Sequence, residues 1–214
     1  MTALHQLSAC DAAAQLAQRS LRAEDLVRAC IEHIDAREPE VQAWAYLQPD
    51  VAIAHAKQLD AGAHRGLLHG LPMGVKDLLA TSDMPATYGS PIYANYQPGF
   101  DAACVAVARQ QGAVVLGKTV STEFATFHPN QTRNPLRLTH TPGGSSSGSA
   151  AAVADSMVPL AIGTQTAGSL IRPASYCGIV AFKPSFGCIA RAGAKPLSDT
   201  LDTVGAMART VPDA

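Results

Sequence analysis

The spacing of apolar residues predicts three helices and a short strand in the first third of the chain. Ser8 is a suitable N-cap for a helix that runs through about Arg19. A second helix is indicated by apolar residues at three- and four-residue spacing, namely Leu26, Val27, Cys30, Ile31 and Ile34. We expect Pro39 to end this helix, since proline has no amide hydrogen. Residues 43–47 then resemble a strand, and residues 51–61 alternate alanine with polar residues as a more exposed helix.

Beyond a boundary at residues 62–70, apolar runs of strand length alternate with helical segments. We expect strands within 71–79, 113–117, 158–163 and 179–182, and helices at 102–111, 147–157 and from Ser169 onward. Asp101 and Gly112 are expected to cap and to end the first of these helices. The alternation predicts an α/β core with at least part of its sheet parallel. The chain ends in a helix-like segment, and no closing strand is evident.

Composition and charge narrow the class of protein. At 214 residues, of which 47% are hydrophobic, the chain can build a sizeable core. Its 16 basic and 17 acidic residues give a net charge of −1, which offers no electrostatic footprint for nucleic acid or for an anionic membrane. The five cysteines lack metal-like CxxC spacing and fit reduced thiols. No signal peptide and no apolar run of about 18 residues is evident, so we expect a cytoplasmic protein.

Lys76 is the one cation in the mostly apolar run LPMGVKDLL. One interpretation is that its stem is buried while its ammonium group reaches solvent or pairs with Asp77. The other is a desolvated, functional lysine, because burial lowers the pKa of an amine from its usual value of about 10.4. This segment alone leaves both interpretations open.

Two glycine-flanked serine clusters follow. Ser145 to Ser147 lie in GGSSSGS, and Ser169 lies in GTQTAGS. Glycine lets backbone approach a ligand and leaves N–H groups unshielded, so such serines can face a substrate. A Gly/Ser run is also typical of flexible linkers, but the Ala-rich residues 147–157 predict a helix directly after the first loop. We therefore interpret the two loops as the floor of a catalytic site.

The segment GAVVLGKT matches the letters of a phosphate-binding P-loop, with Gly112, Gly117, Lys118 and Thr119 in register. A P-loop needs its strand before the first glycine and a loop between the glycines. Here residues 113–116 are themselves predicted as a strand. Nucleotide binding is therefore the weaker interpretation.

Taken together, three motifs resemble the amidase signature family. They are GVKDLL around Lys76, GGSSSGSAAAVA around Ser145, and GTQTAGSLIRPASYCGIVAFKP around Ser169. The resemblance runs from about Leu67 to the carboxyl terminus, and the GTQT and SLIRPA segments are most similar to the malonamidase-like branch. It implies a mixed β-sheet flanked by helices. Family members are considerably longer, so this chain resembles the N-terminal half of the family's fold and we expect it to be truncated.

The resemblance also implies a domain organisation and a catalytic triad. Residues 67–214 are expected to form the catalytic core, and the helical pattern of residues 1–66 predicts a helical layer of the same domain. Ser169 is the nucleophile, and Ser145, in a cis peptide, bridges it to Lys76. A neutral lysine can move protons to and from the reacting groups, so neither histidine, metal nor another cofactor is required. None of the seven histidines lies in a recognisable nucleophile motif, so a Ser-His-Asp site is the weaker alternative.

The turn before the nucleophile is expected to bind the oxyanion. Its successive amide donors, just before a helix start, come from Thr166, Ala167 and Gly168. Most family members have glycine where Ala167 stands, and a methyl group there costs about 1 kcal/mol if φ is positive. Gln165 is expected to orient the turn by hydrogen bonds, and we group Ser147 with the substrate contacts.

Arg172, three residues beyond the nucleophile, has two interpretations. Its guanidinium group can tie down carbonyls at the end of the helix. Alternatively, its planar fork suits a carboxylate, and the resemblance implies that it holds the free carboxylate of a dicarboxylic monoamide. Cys177, eight residues beyond the nucleophile, is interpreted as a buried apolar residue rather than a rival nucleophile.

The implied function is hydrolysis of a small carboxylic acid amide to acid and ammonia. The substrate is a small molecule, and a homo-oligomer is compatible with this interpretation. Two alternatives stay open. One is the amidotransferase member of the same family, which passes ammonia to a charged tRNA and needs partner subunits, and the other is a non-catalytic fragment or binding module.

Overall fold

The structure, a computed structural model that describes residues 2–214, is built on a six-stranded sheet. The strands are β1 (Trp44–Leu47), β2 (Pro72–Lys76), β3 (Val114–Thr119), β4 (Leu160–Gln165), β5 (Val180–Phe182) and β6 (Thr203–Ala208). The α-helices are α1 (Ala9–Ala17), α2 (Ala23–Val41), α3 (Pro49–Ala61), α4 (Ala103–Gln110), α5 (Ser147–Ala154) and α6 (Ile171–Cys177). Helix α1 is capped by Ser8 as predicted, since Ser8 Oγ accepts a hydrogen bond from the Asp11 amide at 3.0 Å.

The strand order is β1-β3-β2-β4-β6-β5. Strand β2 lies parallel to both β3 and β4, while β1, β6 and β5 pair antiparallel with their neighbours. The predicted α/β fold, a mixed sheet flanked by helices, is therefore confirmed. The segment 1–66 supplies helices α1 to α3 and also the edge strand β1, which pairs with β3.

Helix α5 is the most deeply buried of the six α-helices. Its residues Ala150 to Val153 are 0% exposed, and the helix packs on β4, β2, β3 and α6. A side chain at Gly148 would lie only 2.2 Å from the carbonyl oxygen of Ala43, so only glycine permits this approach. The small residues thus bring the serines at the start of α5 down onto the sheet.

The expected end of the second helix is wrong. Pro39 lies inside α2, two residues before its end. The last turn is held by other groups: the amide of Gln42 donates to the carbonyl of Glu38 at 3.0 Å. The Glu38 carboxylate then accepts from the amides of Ala43 at 2.9 Å and Trp44 at 2.8 Å. These bonds stabilise the helix end although proline lacks its own amide hydrogen.

The expected cap of α4 is also wrong. The N-cap residue is Ala102, which offers no side-chain hydrogen bond. The Asp101 carboxylate instead accepts from the Ser82 amide at 2.7 Å and lies 3.4 Å from Nε of Arg109. Gly112 ends the helix as predicted, in a left-handed conformation with φ of 88°.

The helix-like segment at the carboxyl end is a strand, which corrects the third expectation. Strand β6 pairs with β4 from Leu160 beside Ala208 through Gln165 beside Thr203, and β5 pairs on its other side. Its small residues carry no clear period, so pairing on both sides decides the conformation. Gly205 permits this, because a side chain there would lie 2.3 Å from the carbonyl oxygen of Phe182.

Candidate active site

Lys76 is the last residue of the central strand β2, and its side chain is completely buried. Its Nζ donates hydrogen bonds to Ser145 Oγ at 2.6 Å and to Thr164 Oγ1 at 2.9 Å. Burial lowers the pKa of Lys76 well below its ordinary value, and the charge of Asp202 opposes this only in part. The amine therefore neither reaches solvent nor forms a salt bridge with a described residue.

Asp77 does not pair with Lys76, as one interpretation expected, because it belongs to a different buried network. Its Oδ1 lies 3.0 Å from Nζ of Lys118, and its carboxylate also accepts from the Thr87 amide at 3.0 Å. Lys118, which matched the P-loop letters, is thus a structural ion-pair partner. Residues Val114–Thr119 form strand β3, so the geometry of a P-loop is absent from this segment.

Ser145 follows a cis peptide bond with Gly144, in the position that the resemblance implies. Its backbone carbonyl accepts from the Thr122 amide at 3.1 Å. The next amide, that of Ser146, donates to the carbonyl of Ser169 at 3.2 Å. The loop of Ser145 and the loop of Ser169 are therefore joined directly, and Ser145 Oγ contacts the buried amine of Lys76.

Ser169 lies in the turn between β4 and α6 and is 7% exposed. Helix α6 begins at Ile171, two residues later than expected, because Gln165 Oε1 accepts from the amides of Leu170 at 2.9 Å and Ile171 at 3.0 Å. Gln165 thus orients the turn, as predicted. The nucleophile candidate stands just outside the helix rather than within it.

The amides of this turn are available as donors. Within residues 2–214, those of the predicted donors Thr166, Ala167 and Gly168 have no hydrogen-bond acceptor, and neither has that of Ser169. Ala167 is not among the residues with positive φ, so its methyl group causes none of the backbone strain that its departure from the family pattern suggested. Free amides beside a serine hydroxyl form a suitable site for an oxyanion.

Arg172 lies over this turn. Its guanidinium carbon is 5.4 Å from the ring centroid of Phe127, and a side chain at Gly168 would come within 3.1 Å of its Nη2. The side chain forms no hydrogen bond or salt bridge with another residue in the part of the chain that the structure describes. It therefore does not tie down helix carbonyls, and its Nη2 lies beside Gly168, the residue before Ser169.

Ser147 differs from the substrate contact that we expected. Its hydroxyl is buried, donates to the carbonyl of Val120 at 3.3 Å and accepts from Asn130 Nδ2 at 2.7 Å. These contacts favour a role in holding the 120–130 loop over α5. Cys177 is buried as predicted, and burial raises the pKa of its thiol to about 12, so it is a poor nucleophile.

Sequence reasoning missed three polar residues around the site. Thr164 contacts Lys76, Asp202 accepts a hydrogen bond from Thr166, and Ser146 joins the two serine loops. The glycine-flanked motif contains Ser146 only as a neighbour of Ser145, and no signal in the sequence indicates that Asp202 contacts the turn.

No group of three metal-binding side chains is placed to hold a metal ion within residues 2–214. No helix in this range is both long and apolar enough to span a membrane.

The arrangement can perform proton transfer to and from a serine. A buried amine with a lowered pKa can accept a proton at moderate pH and return it. A serine hydroxyl in contact with that amine can relay the proton to a second hydroxyl. Free amides next to the second hydroxyl can stabilise negative charge on a carbonyl oxygen.

Comparison with known proteins agrees with this geometry. The family model for Amidase matches residues 25–214. The A subunit of glutamyl-tRNA(Gln) amidotransferase from Oleidesulfovibrio alaskensis is 42% identical over 222 aligned positions, which cover 100% of this chain and 46% of that protein. The protein of the same name from Acidothermus cellulolyticus is 43% identical over 226 positions, covering 100% of this chain and 44% of that protein.

Among solved structures, native peptide amidase from Stenotrophomonas maltophilia superposes with a TM-score of 0.91 and 38% sequence identity. The superposition covers 98% of this chain and 46% of that chain. The chain thus spans about half the length of the relatives that it matches.

Proposed function

Because this chain belongs to the amidase family, we propose that it hydrolyses a carbon–nitrogen amide bond through an acyl-enzyme on Ser169. The observation that carries the proposal is the 2.6 Å contact between Nζ of the buried Lys76 and Oγ of Ser145. A proton relay needs a base that can be neutral and a hydroxyl group in contact with it. The pKa of Lys76 is lowered, and its amine contacts Ser145, whose loop adjoins the loop of Ser169.

The proposed reaction begins with neutral Lys76. It accepts a proton from Ser145 as Ser145 accepts one from Ser169, and Ser169 Oγ attacks the amide carbonyl carbon. The amides of residues 166–169 stabilise the oxyanion. The proton then returns through Ser145 to the leaving nitrogen, and the C–N bond breaks to give the acyl-enzyme. Water attacks the ester by the same relay, which releases the acid and restores Ser169.

For the substrate, we propose a small carboxylic acid amide that yields acid and ammonia. The support is Arg172, whose unpaired guanidinium lies over Gly168 beside the nucleophile. A planar fork of this kind binds a carboxylate through two parallel N–H···O contacts. The free acid group of the substrate would thereby fix the amide group over Ser169.

A second candidate function is supported by the 42% identity to the amidotransferase protein from Oleidesulfovibrio alaskensis. In that role the same relay would release ammonia from an amide donor for transfer to a charged tRNA. Partner subunits would then be required. Ammonia release that depends on added partner subunits and a charged tRNA would favour this candidate over independent hydrolysis.

Covalent labelling tests the shared chemistry directly. A fluorophosphonate should label Ser169, as located by mass spectrometry, and the Ser169→Ala variant should neither be labelled nor release ammonia. Ser175→Ala removes an exposed serine from α6 and is the matched control, which should react like wild type. Equal labelling of the Ser169→Ala variant, or label found on another residue, would overturn the assignment.

A further inference from the structure

Asp202 is a charged residue at the site that the proposed reaction does not use. It directly precedes β6, and the antiparallel pairing of β6 with β4 sets Thr203 beside Gln165. This register places the Asp202 carboxylate next to Thr166, the first residue of the turn that leads to Ser169.

The carboxylate of Asp202 holds two segments together. One oxygen accepts a hydrogen bond from Thr166 Oγ1. The other accepts from the amides of Leu197 at 2.8 Å and Ser198 at 2.9 Å. Burial on its own raises the pKa of this carboxyl, but the three hydrogen bonds and the charge of Arg191 outweigh it, so the pKa of Asp202 lies below its ordinary value. Asp202 is therefore ionised at neutral pH.

Asp202 also acts on Lys76. Burial lowers the pKa of Lys76, and the negative charge of Asp202 raises it in opposition. Two cations, Arg191 and Lys195, line the same small cavity as Asp202, Thr164 and Thr166. Within residues 2–214 neither cation forms a salt bridge with Asp202, and the charge of Arg191 lowers the pKa of that carboxyl.

The other carboxylate near Lys76 is already paired with a cation. Asp77, the next residue in the chain, is paired with Lys118 at 3.0 Å. The other groups that contact the amine, Ser145 and Thr164, are uncharged hydroxyls. The charge of Asp202 is therefore not duplicated by a neighbouring carboxylate.

Building on the amide hydrolysis proposed above, we propose that Asp202 is a positioning residue that anchors the amide-bearing turn through Thr166 and supplies the negative charge acting on Lys76. The two effects are separable by mutation. Thr166→Val removes the hydroxyl while the carboxylate stays, and Asp202→Asn removes the charge while an oxygen that can accept a hydrogen bond stays.

The two variants should differ in their pH profiles. Thr166→Val should lower kcat roughly 10- to 100-fold, because the amide donors lose their fixed position, and should leave the pH midpoint unchanged. Asp202→Asn should move the rising limb of the kcat profile to lower pH, because Lys76 then loses its proton more readily. Asp199→Asn removes an exposed carboxylate three residues away and should do neither.

A direct titration keeps this inference independent of turnover. In protein with ¹³C-labelled lysine, the Lys76 side-chain signal should titrate at lower pH in Asp202→Asn than in wild type or Asp199→Asn, with folding checked by circular dichroism. An unchanged Lys76 midpoint in Asp202→Asn overturns the assignment, as does wild-type kcat in Thr166→Val. A protein whose Lys76 midpoint shifts as expected but which hydrolyses no amide would instead overturn the proposed function alone.

Discussion

Nζ of Lys118 lies 3.0 Å from Oδ1 of Asp77, and the two side chains are 0% and 1% exposed. Asp77 directly follows Lys76 in the chain, and its carboxylate is thus paired with Lys118. Lys76 is consequently left in contact with hydroxyl groups, Ser145 and Thr164, rather than with a counter-ion. A buried amine without an adjacent anion is easily deprotonated, which is the property that a general base needs.

Breaking the buried pair should destabilise the fold strongly. Lys118→Met leaves the Asp77 carboxylate buried without its cation, which should cost about 3–5 kcal/mol of unfolding free energy. Urea unfolding measures this loss. Arg22→Met is the control, since Arg22 is 58% exposed in its pair with Glu24 and its loss should destabilise the protein far less. Equal losses in the two variants would show that the Asp77–Lys118 contact does not stabilise the protein.

Activity should rise with pH through the ionisation of Lys76. Burial lowers the pKa of Lys76, so the neutral, active amine forms below the range of an ordinary lysine. Lys76→Arg should be inactive at every pH, because guanidinium keeps its proton. Initial rates of ammonia release across pH, for both proteins, provide the measurement. An active Lys76→Arg protein would exclude Lys76 as the base.

The same pKa shift predicts how stability depends on pH. Between the lowered pKa of folded Lys76 and its ordinary value of 10.5, the unfolded chain binds the additional proton, so stability rises with pH across this window. Lys76→Met lacks that ionisation and should be as stable as wild type or more stable, with the difference shrinking towards alkaline pH. Thermal unfolding at several pH values tests this. A difference that grows with pH would have the wrong sign for a buried lysine.

Several parts of this fold and site could be predicted from the sequence because the signals were local. Ser8 caps α1 from within its own turn, and Gln165 contacts amides five and six residues ahead. Glycine-flanked serines followed by an Ala-rich run predicted that α5 follows the first serine loop directly. Each of these signals depends on near neighbours in the chain.

The missed features depend on pairing between distant segments. Thr164 meets Lys76 across 88 residues of chain, and Asp202 reaches Thr166 only because β6 pairs with β4. The small apolar residues of β6 favour neither a helical nor a strand period, so the sequence did not indicate that pairing. The contacts that were not predicted depend on the register between distant strands, which the residue types alone do not indicate.

Gly168 lies so close to the guanidinium group of Arg172 that a side chain at this position would crowd it. A methyl group at residue 168 would lie 3.1 Å from Nη2 of Arg172, and the flexible guanidinium would have to shift. Gly168→Ala should therefore lower kcat/KM for an acid amide by roughly 10-fold while stability changes little. In the Arg172→Ala background the same substitution should have almost no further effect on kcat/KM. An equal loss in both backgrounds would point to the backbone of the turn instead of Arg172.

The last prediction concerns Arg172 itself and the substrate class. Its guanidinium has no partner among residues 2–214 and stacks on Phe127, which is 79% exposed. A charge-assisted contact to a carboxylate contributes about 1.5–3 kcal/mol, so Arg172→Ala should lose roughly 10- to 150-fold in kcat/KM for an acid amide and little for its neutral analogue.

Two further variants separate charge, fork geometry and placement. Arg172→Lys keeps the charge without the planar fork, so it should recover only part of the loss. Phe127→Ala removes the stacking surface that holds the guanidinium, and at an exposed site this contact contributes about 0.5–1 kcal/mol, so kcat/KM for the acid amide should fall roughly 2- to 5-fold. Both substrates should be measured on all four proteins. Equal losses for the acid and the neutral amide would mean that Arg172 supports the turn, and the carboxylate would then be bound elsewhere or not required.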